Sequence, residues 1–95
     1  MKKFLHLAIN PVDSDYQDLV EEALNRATDW IRYLPNCYLI YTGQPAKVWY
    51  QRLCDIDTTK DRNFFICEVD LTNRAGWMKT SAWKWINKDR PSAEK

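Results

Sequence analysis

The run from Asn63 through Phe64, Phe65, Ile66, Cys67, Glu68, Val69 and Asp70 to Leu71 is the most strand-like stretch of this chain, and the other segments have to be read around it. Taken at every second position, Phe65, Cys67, Val69 and Leu71 are all apolar, whereas Phe64, Ile66, Glu68 and Asp70 begin apolar and end acidic. Successive side chains of a strand point to opposite faces. The pattern therefore predicts a central strand whose Phe65 side lies in a core and whose Phe64 side is only partly wet. One strand cannot bury itself, so neighbours must pair with it and helices must cover it.

The rest of the chain supplies both. Phe4 to Asn10 alternates, with Leu5, Leu7 and Ile9 on one side and Phe4, His6 and Ala8 on the other, and Asn10-Pro11 ends this first strand. Ser14-Asp15-Tyr16-Gln17 has the form of a capping box, and Tyr16, Leu19, Val20, Ala23, Leu24 and Ala27 then follow the i, i+3, i+4, i+7 spacing of one helical stripe. Trp30 to Leu34 and Cys37 to Thr42 flank Pro35-Asn36, a turn pair in which proline presets φ and asparagine tolerates a left-handed backbone; this predicts a hairpin. Gly43-Gln44-Pro45 opens a second helix with Ala46, Trp49, Leu53 and Ile56 on one face. A polar loop from Asp57 leads into the run at Asn63, Asn73 to Gly76 reads as a turn, and Ser81 to Lys88 as a short last helix with Ala82, Trp85 and Ile86 on one side.

Strand, helix, strand, strand, helix, strand is βαββαβ, and this order predicts an α+β, ferredoxin-like sandwich: an antiparallel sheet, two helices on one face and a short C-terminal helix. Leu5, Leu7, Ile9, Phe65, Cys67, Val69 and Leu71 are then expected in the core. Phe4, His6, Phe64 and Ile66 are expected together on the other face, which is too apolar to stay bare. Either a second copy covers it, or the last helix folds back with Trp83, Trp85 and Ile86 over it.

Ninety-five residues, 45% of them hydrophobic, suit one core. The expected organisation is a single domain over residues 1–90 with a frayed tail at 91–95. No apolar run has the length of a membrane helix, and Met1-Lys2-Lys3 leads into too short an apolar stretch for a signal peptide, which points to the cytoplasm. Cys37, Cys54 and Cys67 are odd in number, lack C-x-x-C spacing and lie in apolar segments, so they are expected as reduced core thiols. The net charge of +1 gives no overall pull toward nucleic acid. Acids nevertheless dominate from Asp13 to Asp29 and cations from Arg74 onward.

Few motifs carry chemistry. His6 is the sole histidine and sits mid-strand without a partnered nucleophile, so it is expected as a sheet-face residue. Asp57, Thr59, Asp61 and Glu68 have calcium-loop spacing, but Arg62 occupies the glycine place and Phe65 a ligand place. With Gly43 and Gly76 the only glycines, a glycine-rich phosphate loop is excluded. Trp30, Trp49, Trp77, Trp83 and Trp85 are expected to supply buried area.

Cys37 to Thr42, Asn63 to Leu71, and Ala75-Gly76-Trp77-Met78-Lys79-Thr80-Ser81-Ala82-Trp83-Lys84-Trp85-Ile86 resemble the small bacterial proteins labelled SinR-like, which are similar in fold to CRISPR-associated protein 2 and the VapD toxins. The resemblance spans most of residues 4 to 88. It implies a ferredoxin-like homodimer, a defence or toxin-antitoxin setting and, in nuclease relatives, an acidic residue ending the first strand that helps hold magnesium at the dimer axis. That place here reads Ala8-Ile9-Asn10, with Asp13 the nearest carboxylate, and asparagine is a neutral, weaker magnesium ligand.

The leading expectation is therefore a non-enzymatic homodimeric binding protein without a cofactor, its interface formed by Phe4, His6, Phe64 and Ile66, with a protein partner and no membrane. A second reading is a magnesium-dependent endoribonuclease using Asn10, Asp13 and Asp70, with Asp13 on the metal. A third is a sequence-nonspecific binder of RNA or DNA through Lys79, Lys84, Lys88 and Arg90.

Overall fold

The computed structural model describes residues 2–10, 14–56 and 63–88. Alternating segments become strands and striped segments helices, in the order β1 (Lys3–Ile9), α1 (Ser14–Leu24), β2 (Asp29–Leu34), β3 (Cys37–Thr42), α2 (Ala46–Cys54), β4 (Phe64–Val69) and α3 (Thr80–Ile86). This is an α+β fold with one four-stranded antiparallel sheet in the order β2-β3-β1-β4.

The core lies between the sheet and α1 with α2. Leu5, Leu7 and Ile9 of β1 and Tyr38 and Ile40 of β3 meet Tyr16, Val20 and Leu24 of α1 and Trp49 and Leu53 of α2. Polar groups tie the layers together at the rim. Tyr38 Oη donates to Glu21 Oε2 at 3.0 Å, and Arg32 reaches the same carboxylate at 3.6 Å. Trp49 Nε1 donates to Thr42 Oγ1 at 3.2 Å, while the Arg52 guanidinium lies 4.7 Å over the indole. Proline stands at the N-cap of α2, where its preset φ suits a helix start.

Two expectations about the run at Asn63 are overturned. The strand is an edge, because among the described strands β4 pairs with β1 alone; the inner strands are β1 and β3. Consecutive burial marks an inner strand better than alternation does, and Tyr38, Leu39 and Ile40 are all buried. The two faces of β4 are also exchanged. Leu7 stands opposite Ile66 and Ile9 opposite Phe64, which places Phe64 and Ile66 on the helix side, against the core. Phe4, His6 and Ala8 stand opposite Val69, Cys67 and Phe65, so these six share the far face. Phe65 is 65% exposed. A shift of one residue in register exchanges every side chain between faces, and the bond from the Asn10 amide to Asn63 O (3.0 Å) belongs to the register observed. Glu68 is tolerated on the helix side because it lies at the rim, 3.8 Å from Lys3.

Smaller differences have local causes. Leu19 is 47% exposed because the buried stripe of α1 narrows to Tyr16, Val20 and Leu24. Gln17 Nε2 donates forward to Glu21 Oε2 at 3.2 Å instead of reaching back as a capping box requires. The three cysteines are free but only half buried, so none belongs to the core.

The last helix takes the face opposite α1 and α2. Trp85 meets Phe4 edge-on at 6.0 Å, Lys88 Nζ reaches Asp29 Oδ2 at 3.1 Å, and Ala82 is buried. Leu39, which faces this side from β3, is buried as well. Burial alone would push the Asp29 carboxyl up, but the side chains of Lys88 and Trp85 and the Trp30 amide together hold it below its ordinary value. Among the described residues, no helix is long and apolar enough to cross a membrane.

Candidate functional site

The residues expected to form one interface do not come together. Phe4 and His6 lie on the far face and Phe64 and Ile66 on the core side, so the four form no common patch. Phe4 is moreover engaged by Tyr41 at 5.0 Å and by Trp85. What the far face leaves uncovered is the neighbourhood of Phe65 on the β4 edge, with Ala8 and Cys67 half buried beside it.

His6 holds the middle of this face. Its Nε2 is 2.5 Å from Tyr33 Oη, which crosses from β2 where the ladder with β3 shifts register between Arg32 and Leu34. Burial lowers the imidazole below its ordinary value of 6.5. Burial also pushes up the Tyr33 hydroxyl, and the neighbouring Cys37 adds to the effect. A neutral imidazole beside a protonated phenol is a hydrogen-bonded strut in the face. The unfolded chain therefore binds the His6 proton more readily than the folded one, and stability falls as pH drops below 6.5 toward the lowered folded value. Thermal melts of the wild type should give a lower midpoint at pH 5.5 than at pH 7.5, and His6→Gln should flatten that part of the profile; equal slopes in the two proteins would remove His6 as the cause.

The acidic set for a nuclease is also dispersed. Asn10 follows one end of β1, and Asp70 follows β4 beside the other end, since Phe4 stands opposite Val69 and Ile9 opposite Phe64. The separation is roughly 24 Å, seven residues along β1 at about 3.4 Å per residue. Asp70 instead accepts from the Thr72 amide at 2.9 Å, and that bond holds its carboxyl below the ordinary range. Asp13 lies outside the described residues, as do Asp57, Thr59 and Asp61 of the rejected calcium spacing. Asn10 and Asp70 thus do not share a magnesium ion within one chain, and no cluster of three histidine, cysteine or acidic side chains able to hold a metal occurs among the described residues.

Of the basic set, Lys79 precedes α3, Lys84 is exposed in its last turn, and Lys88 is tied to Asp29. Arg90 lies outside the described residues. Lys79 and Lys84 are five residues apart and so lie on different sides of the helix.

Two exposed aromatics were placed wrongly from sequence. Trp77 is 99% exposed, on the irregular stretch before α3, where Gly76 runs beside the Trp83 ring. Its position outside any periodic segment was the available signal. Phe65 carried no such signal, because both faces of its strand are apolar at that end. Comparison of the chain with protein-family models, curated proteins and solved structures finds no match.

Proposed function

We propose that this chain is a ferredoxin-like domain that acts by binding, as a homodimer, and performs no chemistry of its own. The element order and the sheet order β2-β3-β1-β4 support the split βαββαβ arrangement: β1 and β2 run parallel with β3 between them, as two interleaved crossover units require.

The observation that carries the binding reading is Phe65, 65% exposed on a strand whose outer edge pairs with no other described strand. A free edge beside an exposed aromatic is a template for another strand. A second copy fits it by symmetry, since two β4 strands meeting antiparallel about Cys67 set Phe65 of each copy beside Val69 of the other. The seam then contains Phe65, Cys67 and Val69 on the far face, and burial of such apolar area is worth roughly 25 cal/mol per Å².

Phe65→Lys should weaken the dimer by about tenfold or more, read by sedimentation equilibrium, with unchanged circular dichroism, because each introduced charge lies in the seam. Mild oxidation should cross-link two wild-type chains through Cys67 and fail in Cys67→Ser, since opposed residues of antiparallel strands are about 5 Å apart at Cα, within disulfide reach. A wild type that is monomeric at tens of micromolar would overturn the dimer.

A further inference from the structure

The opposite edge of the sheet carries a different surface. β2 bonds to β3 alone among the described strands, and its outer side opens into a groove of about 900 Å³ between the strand and the segment leading into α3. Ile31, Arg32 and Leu34 line one side, and Trp77, Lys79 and Ala82 the other. An edge strand presents a row of backbone N–H and C=O groups with a fixed spacing. Here that row is flanked by two exposed apolar side chains, Leu34 at 48% and Trp77 at 99%.

Charge selects the occupant. Among the described residues that line the groove, Arg32 and Lys79 are the ionised groups and none is a carboxylate. Glu21 reaches Arg32 at 3.6 Å from α1, which leaves Lys79 to act on the groove side. We propose that this groove takes an extended acidic peptide of a partner protein as an added strand on β2, with Trp77 closing over its apolar side chains. β2 has six residues, and a peptide of about the same length, roughly 20 Å extended, bonds to its outward backbone groups on either side of the register shift between Arg32 and Leu34. A nucleic acid would use Trp77 and Lys79 but leave the strand edge unread, which is why the peptide is the better fit. The groove lies on the edge remote from β4 and does not depend on the dimer.

The probe is a pool of fluorescein-labelled peptides that alternate valine or isoleucine with aspartate or glutamate. Saturable anisotropy at micromolar protein is expected, weakened by about tenfold or more in Trp77→Ala, which removes a fully exposed side chain and leaves the fold intact. Binding should vanish when alternate peptide nitrogens are methylated, and bound peptide should slow amide exchange in the stretch from Ile31 to Leu34. No binding by the pool at millimolar peptide would overturn the proposal, and so would equal binding of lysine-containing counterparts. Tight binding of a labelled oligouridine that depends on Trp77 but leaves β2 exchange unchanged, with no peptide binding, would make the surface one for nucleic acid instead.

Discussion

Trp49→Ala should lower the stability of this domain by about 3 to 5 kcal/mol in urea melts, the range for emptying a buried tryptophan site. Trp49 is fully buried and is the largest of the side chains in that state. It fills the space between α2 and the inner strands, so its removal opens a cavity lined by groups that several elements hold in place. The change also removes the donor to Thr42 Oγ1, although that buried hydroxyl keeps the Gln44 amide at 3.1 Å. Arg52 loses the ring beneath its guanidinium. A domain of this size has about 5 to 15 kcal/mol in total, so a loss of this order brings the variant close to unfolding at ambient temperature. Trp49→Phe should recover a large part of the loss. A loss below about 1 kcal/mol in Trp49→Ala would mean that α2 does not seat this side chain between helix and sheet.

Lysine placed at two successive positions of β4 should have opposite consequences. Ile66 packs on the core opposite Leu7, so Ile66→Lys should cost about 2 to 4 kcal/mol and lower the thermal midpoint accordingly, because an ammonium there either loses its hydration or pushes β4 from the helices. Phe65 points the other way and is largely exposed, so Phe65→Lys should leave the midpoint of the isolated subunit within about 0.5 kcal/mol equivalent while it breaks association. The pair measures the phase of the strand directly. If Ile66→Lys were tolerated and Phe65→Lys unfolded the protein, the register of β4 on β1 would be displaced by one residue.

Local patterns made most of the elements legible. The β3 bounds at Cys37 and Thr42, the Pro35-Asn36 turn and the Trp49-Leu53 face of α2 all appear where proline, asparagine and apolar spacing placed them, and α1 starts at Ser14 although Gln17 does not close the capping box. These signals act through a residue's own backbone or through neighbours within a turn, so they survive any tertiary arrangement. The candidate site was far less legible. Phe4 and His6 were assigned to the right face, but Phe64 and Ile66 were joined to them and Phe65 was assigned to the core. The cause is that β4 is apolar on both sides at its start, and the acids Glu68 and Asp70 fall where the helix layer ends and charge is tolerated on either face.

Periodicity is local, and the residues alone indicated an α+β chain with four strands, helices between them and Leu5, Leu7 and Ile9 inward. The order of strands across the sheet, the phase of β4 and the side on which α3 lands are relations between segments far apart in the chain. Each has two arrangements with nearly equal local preference. Packing separates them: Phe64 and Ile66 fill the space beside Ile9 and Leu7, and Trp85 closes on Phe4 while Lys88 reaches Asp29. Those energies exist only once both partners are in place, so they leave no trace in the pattern of either segment.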